Sequence, residues 1–265
     1  MTRIEQKFAQ LSREGRKGFI PYITAGDPSV EITRDLILAL EKSGADIIEL
    51  GVPFSDPIAD GPVIQRATER ALHNGVTLQK ILDLGASVRK QSQIPLVLFS
   101  YFNPLLSYGL EKLARRAIEA GFDGVLVTDL TVEESDAFLR TMRAVGLNTI
   151  FLAAPTSSPE RMKKIAQASN GFLYAVSRTG VTGEQRDLAG DLKQFLQALR
   201  SHTASPIAVG FGISHPDHVR AVWQEADAAI VGSSIVKEIE KYIGKADLVE
   251  KVAAFAAWLK GCPSK

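Results

Sequence analysis

The segment Ile47-Ile48-Glu49-Leu50-Gly51-Val52-Pro53-Phe54-Ser55-Asp56-Pro57-Ile58-Ala59-Asp60-Gly61-Pro62 sets the reading of this chain. Its first five residues make a short apolar run, the pattern of a strand buried on both faces of a parallel sheet. One of the five is a carboxylate: Glu49 stands where an aliphatic side chain is expected. Burying an unpaired charge is costly, so an acid at such a position calls for a purpose. A loop rich in Pro, Asp and Gly follows, with a second carboxylate, Asp60, near its end. Two carboxylates in different surroundings can run acid and base chemistry at one pH.

Working outward, the same kind of run recurs along the chain. Strands are predicted at Gly18–Thr24, Ile47–Gly51, Leu96–Tyr101, Gly124–Asp129, Thr149–Ala153, Phe172–Ser177, Ile207–Gly210 and Ala228–Gly232. Amphipathic helical patterns lie between them, among them Ile32–Ser43, Leu110–Ala120, Val132–Val145 and Pro159–Ala168. Ser29 precedes the first of these as a cap, and Asp129 or Thr131 precedes Val132 in the same role. About eight strand-plus-helix units make an α/β fold of the closed (β/α)8 TIM-barrel type. The competing open, doubly wound sheet would carry a Gly-x-Gly-x-x-Gly turn after its first strand. Here that strand leads into Ala25-Gly26-Asp27-Pro28, which has no such spacing. Met1–Arg16 reads as an extra N-terminal helix with Ile4, Phe8 and Leu11 on one face, placed to cover the bottom of the barrel. No linker or composition shift interrupts 1–265, so one barrel domain is expected.

Composition narrows the class of function. The chain has 265 residues, 45% hydrophobic and 23% charged, with 31 basic side chains against 30 acidic ones. That near-balance offers no nucleic-acid footprint. No apolar run approaches the ~20 residues of a membrane span. The N-terminal stretch is polar and charged without the apolar core of a secretory signal. Cys262 is the single cysteine, so an internal disulfide is excluded, which fits a reducing compartment. A cytoplasmic, water-soluble protein is expected.

Barrel chemistry sits at the C-terminal ends of the strands. Those ends carry Glu49, with Asp60 in the loop beyond; Ser100-Tyr101; Thr128-Asp129; Tyr174 with Ser177 through Gly183; Gly210 through Ser214; and Gly232-Ser233-Ser234. Glycines let backbone N–H groups approach an anion, and the loops after strands seven and eight are the usual barrel phosphate site. Gly183, Gly212, Gly232 and Ser233 are therefore the candidate phosphate residues, although a glycine can also simply end a strand. Glu49 could be a structural acid satisfied by a neighbour, and Asp60 alone would be ordinary turn chemistry. The pairing of the two raises both. Tyr174 reads as barrel packing whose hydroxyl needs a partner. No lysine falls in a predicted strand, so a Schiff-base aldolase lacks its nucleophile. His73, His202, His215 and His218 lie outside the strands, and Ser214-His215-Pro216-Asp217-His218 reads as a helix start rather than a metal site.

Four blocks carry a resemblance to a known family: Pro21 through Pro28, Glu49 through Gln65, Tyr174 through Gly183, and Gly210-Phe211-Gly212-Ile213. They resemble the tryptophan synthase alpha chain, and the likeness runs over essentially the whole chain. It implies a barrel lyase that cleaves indole-3-glycerol phosphate to indole and glyceraldehyde 3-phosphate. By the resemblance, Glu49 is the proton-transfer catalyst and Asp60 holds the indole N–H. Gly183, Gly212, Gly232 and Ser233 hold the phosphate, with Tyr22, Tyr174 and Phe211 among the substrate contacts. Arg178 to Gly190 matches the family's mobile loop, with Thr182 engaging Asp60 on closure. No metal and no cofactor are implied in this chain. Pyridoxal phosphate belongs to a beta-chain partner that consumes the indole in an alpha2beta2 heterotetramer. The family usually has Asp-Leu-Pro after strand four; this chain has Asp129-Leu130-Thr131, on a loop that faces the partner in the family. A stand-alone indole-3-glycerol phosphate lyase and another phosphate-sugar barrel isomerase are the alternative readings.

Overall fold

The structure, a computed structural model, describes residues 1–177, 185–210 and 212–261. Of the expected Arg178–Gly190 loop, 178–184, with Thr182 and Gly183, lies outside the described residues, as do Phe211 and Cys262, and from Gln185 onward the chain is helical rather than loop.

The strands are β1 (Gly18–Thr24), β2 (Ile48–Gly51), β3 (Leu96–Ser100), β4 (Gly124–Val127), β5 (Asn148–Ile150), β6 (Leu152–Ala153), β7 (Leu173–Val176), β8 (Ile207–Gly210) and β9 (Ala228–Val231). Every pairing is parallel, in the order β5-β4-β3-β2-β1-β9-β8-β7-β6. The two ends of that order are consecutive pieces of one run, so the sheet closes on itself as a TIM barrel. The fifth predicted strand is thus two strands, broken at Phe151. There the N–H turns to Ser169 Oγ (3.2 Å), while the C=O accepts from Tyr174 N (3.2 Å). The break marks where pairing passes from β4 to β7.

Strand parity decides what faces inward, because successive side chains point to opposite faces. Ile20, Ile47, Val97, Leu126, Ile150, Phe172, Ala208, Ala228 and Ile230 form an inner core. Their alternates Phe19, Ile23, Ile48, Leu50, Leu96, Leu98, Val125 and Val209 pack outward against the surrounding helices. The N-terminal helix α1 (Arg3–Arg13) starts with a reciprocal Thr2–Glu5 capping box and drives Ile4, Phe8 and Leu11 into the inner core. It closes the bottom, as its apolar face predicts.

The bottom is also stitched by a repeated device. The Asp46 carboxylate accepts from Phe19 N (3.0 Å) while Asp46 N donates to Phe19 O (2.9 Å). Asp123 repeats this with Leu96, at 2.9 Å both ways, and Asp227 with Ile207, again at 2.9 Å. Asn170 does the same for Thr149. In each case the residue leading into one strand caps an N–H near the start of an earlier strand, where an unpaired donor would be costly.

Around the barrel run α2 (Val30–Lys42), α3 (Pro62–His73), α4 (Leu78–Arg89), α5 (Phe102–Tyr108), α6 (Leu110–Glu119), α7 (Asp136–Ala144), α8 (Pro159–Ala168), α9 (Gln185–Arg200), α10 (Pro216–Glu225), α11 (Ser233–Tyr242) and α12 (Leu248–Leu259). Ser29 caps α2 through Ile32 N as expected, and His215 caps α10. The helix expected over Val132–Val145 is instead a 3-10 turn, Val132–Glu134, followed by α7. Ser135 separates the two, its hydroxyl bound to Val132 O (2.8 Å). Neither expected cap serves that helix: Asp129 accepts from Phe102 N (2.7 Å), and Thr131 bonds Glu134.

Candidate active site

Because Ile47 points inward, Glu49 does too, one layer higher. Tyr22 stands above Ile20 by the same rule, Phe99 above Val97 and Tyr174 above Phe172. In register Tyr22 is paired with Glu49 on the neighbouring strand. This upper layer does not fill the barrel. It forms the floor of a cavity of about 370 Å³ at the C-terminal ends of the strands. Glu49, Asp60, Tyr22, Tyr174, Gly212, Gly232 and Ser233 all line it, so one cavity gathers every expected site residue that falls within the described residues. Thr182, Gly183 and Phe211 lie outside them.

Glu49 is the anomaly of the cavity. Its side chain is 0% exposed, and among the described residues neither carboxylate oxygen has a hydrogen-bond partner. Burial alone pushes its carboxyl up to about 8. At neutral pH the group is therefore mostly protonated and can donate a proton. The tyrosines beside it respond in the same sense. Burial pushes both hydroxyls up, with the Asp60 charge adding at Tyr22 and the Glu49 charge at Tyr174.

Two strand glycines make room for these rings. A Cβ on Gly51 would sit 2.1 Å from the Tyr22 hydroxyl, and one on Gly210 would sit 2.3 Å from the Tyr174 hydroxyl. Gly51 and Gly210 thus let both tyrosines lie back against the wall and keep the cavity open. Phe99 meets Tyr22 edge to face, centroids 5.1 Å apart. Together with Ile230 and Ile64 these rings give the cavity an apolar wall suited to a flat aromatic ligand.

Asp60 reaches the cavity from the loop after β2. Burial raises its carboxyl, and a hydrogen bond from Tyr101 pulls it back down. The Tyr101 hydroxyl also accepts from Ala59 N (2.9 Å), and its ring packs on Phe54 at 5.3 Å. Tyr101 was legible only as a strand end, yet it holds the loop that presents Asp60. On the other side, Gln65 Nε2 donates to Asp60 O (2.9 Å).

The opposite end of the cavity is built from backbone. Gly232 precedes α11 and gives it no side-chain cap, leaving the first-turn N–H groups open toward the cavity. Gly212 takes a positive φ of 45° with open space where a Cβ would be, a conformation that glycine adopts freely. Ser234 Oγ donates to Ile213 O (2.6 Å), which ties the two glycine turns together. Lys237, one turn into α11 from Ser233, also lines the cavity. Sequence reading did not single it out, although the i, i+4 spacing from Ser233 puts both on one helix face. Among the described residues no group of three or more His, Cys, Asp or Glu side chains could hold a metal ion.

The family model described as the tryptophan synthase alpha chain matches residues 8–261. The chain belongs to the tryptophan synthase alpha chain family. Two relatives of that name, from Solibacter usitatus and Geotalea uraniireducens, are 50% and 48% identical over 260 residues. In both, the match covers 98% of this chain and 97% of the relative. A solved tryptophan synthase subunit alpha from Legionella pneumophila str. Paris superposes with a TM-score of 0.91 at 40% identity, covering 99% of this chain and 98% of that one. A solved chain from the a2b2 complex of Pyrococcus furiosus gives 0.86 at 38% identity, over 92% and 98%. Membership in the tryptophan synthase alpha family makes the chain a carbon–carbon lyase that cleaves indole-3-glycerol phosphate.

Proposed function

We propose that Glu49 and Asp60 divide the work of this cleavage, and that the glycine turns at Gly212 and Gly232–Ser233 hold the substrate phosphate. The observation that carries the reading is Glu49: an acid with no hydrogen-bond partner among the described residues, in the floor of the cavity that also holds every expected site residue within them.

The chemistry fits the two environments. Indole C3 must take a proton before its bond to the glycerol chain can break, and Glu49 enters as the protonated acid. The resulting cation spreads onto the ring nitrogen, where the Asp60 carboxylate accepts the N1–H and stabilises the charge. Glu49, now ionised, takes the proton of the hydroxyl on the adjoining carbon. That carbon becomes the aldehyde carbonyl, and the electrons of the breaking bond return to the ring. Indole and glyceraldehyde 3-phosphate leave, and Glu49 is protonated again. Open N–H groups at a helix start suit a phosphate, and gripping it converts remote binding energy into orientation at the ring. No step calls for a metal or a cofactor in this chain.

The partner on this reading is a pyridoxal-phosphate beta chain that uses the indole to make tryptophan from serine, in the cytoplasm. The loop that ends in Asp60 supports a contact there, since Ile58 is 87% exposed beside it. No described helix is long and apolar enough to cross a membrane. The test is indole release by the wild type and by Glu49→Gln, each with and without an added beta chain. Indole from the wild type alone, raised by the partner and absent from the variant, is the expected result. A variant that keeps most activity would remove Glu49 from the proton-transfer role.

A further inference from the structure

The proposed mechanism places two anchors at opposite ends of one molecule, the Asp60 carboxylate and the turn at Gly232–Ser233. What fixes the distance between them is the placement of α3 against α11. Asp60 joins α3 through Gly61, and Gln65 ties the Asp60 carbonyl back onto that helix. The phosphate turn is the start of α11 itself. The two helices meet through Ile64, Ala67 and Val236, a small aliphatic contact under Tyr22. Such a contact allows sliding, because it has no directional bond.

One turn further along, the same helices are joined by bonds that do have direction. Arg70 forks onto Asp27, at 2.7 and 2.9 Å, and its remaining nitrogen reaches Glu240 on α11 at 2.8 Å. Arg66 forks onto the same Glu240, at 2.7 and 2.8 Å. Asp27 sits in the loop after β1 and is 1% exposed, whereas the Arg66 side chain is 47% exposed. Exposed pairs hold geometry weakly, and a forked guanidinium on a buried carboxylate holds it firmly. Arg70 is therefore the link that joins α3, α11 and the barrel wall in one place.

We propose that Arg70, through Asp27 and Glu240, is a positioning residue that sets the span between Asp60 and the phosphate turn. The inference rests on the substrate reading above and goes beyond it by naming what holds the two anchors in register. A ligand that engages both anchors gains from their fixed spacing, and a fragment that engages one gains nothing from it.

The test compares linked and separate ligands on the intact chain. Affinities for indole-propanol phosphate, for indole alone and for glycerol 3-phosphate alone are measured on the wild type, Arg70→Met, Arg70→Lys and Glu240→Gln. Arg70→Met is expected to bind the linked compound about tenfold more weakly, with each fragment within about twofold of wild type. Arg70→Lys keeps the charge but not the fork and is expected to lose severalfold on the linked compound alone. Should Arg70→Met not fold, with Asp27 left unpaired in the wall, the Asp27→Asn/Arg70→Met double variant and Glu240→Gln carry the comparison in the same direction. Parallel losses on all three ligands, or no loss on the linked one, would overturn the proposal. A wild-type chain that bound neither fragment would bring down the substrate reading first, which separates the two failures.

Discussion

The bottom of this barrel and the floor of its cavity treat the same functional group in opposite ways. At the bottom, Asp46 and Asp123 are nearly as buried as Glu49, and each carboxylate is bound several times over. Asp123 accepts from Leu96 N and pairs with Arg89 at 3.0 Å and Arg3 at 2.8 Å. Asp46 accepts from Phe19 N and lies 3.5 Å from Lys260 and 3.4 Å from Arg16. At the top, Glu49 has no hydrogen-bond partner among the described residues. Bottom acids close backbone donors and hold the strands; the top acid is left unsatisfied, at a cost to stability, and gains a proton that can be moved. Local destabilisation at a functional site, carried by a rigid frame elsewhere, is the general pattern.

The contrast predicts that removing a carboxylate has opposite consequences at the two ends. The largest effect on rate is expected for Glu49→Gln, a loss of at least ~10² in indole formation while the protein stays folded. Next comes Asp60→Asn, which keeps the shape but loses the charge facing the indole N–H, with a loss on the order of 10². Full activity with Asn at 60 would return Asp60 to a turn role. Asp123→Ala should do the reverse: turnover per folded molecule unchanged, and stability lowered by roughly 3–5 kcal/mol, because Arg89 and Leu96 N lose their partner in a buried place. Denaturant unfolding and initial rates on the same samples separate the two outcomes.

Stability against pH sharpens the comparison further. The Glu49 carboxyl has a folded value of about 8 against an ordinary value of 4.5. Below 4.5 both states hold the proton and Glu49 contributes nothing. Between 4.5 and about 8 the unfolded chain ionises first, so stability is lost as pH rises and the loss levels off above 8. The loss is on the order of a few kcal/mol, so Glu49→Gln should match the wild type at acid pH and exceed it increasingly toward pH 8. A gap between the two that stayed constant across this range would mean that Glu49 ionises normally in the folded protein. The smallest effect is expected at the phosphate end. Gly232→Ala meets nothing closer than Tyr22 Cβ at 3.6 Å, so the fold should tolerate it. It should raise KM severalfold for phosphorylated substrate and leave the affinity for indole alone unchanged.

Much of this was legible in the chain, for identifiable reasons. The strands show as short apolar runs because both faces are buried, and strand parity then carried Glu49 to the interior. The break at Phe151 was not legible, because it depends on a hydrogen bond from Phe151 N to Ser169 Oγ, eighteen residues away along the chain. Gly51 and Gly210 read as strand ends, and only the fold shows the tyrosine hydroxyls lying where their side chains would be. Tyr101 and the Arg70 network bring together residues 42 or more positions apart, which no local pattern encodes.

Glu49 carries a proton at neutral pH because no described residue of the cavity satisfies its charge. Titrating the wild type by carbon-13 NMR of side-chain carboxyls, with Glu49→Gln to assign the signal, measures this directly in the free enzyme. A resonance that titrates with a midpoint near 8 and is missing from the variant is expected. A Glu49 signal that titrates near the ordinary 4.5 would contradict it, since the acid would then reach the substrate already ionised.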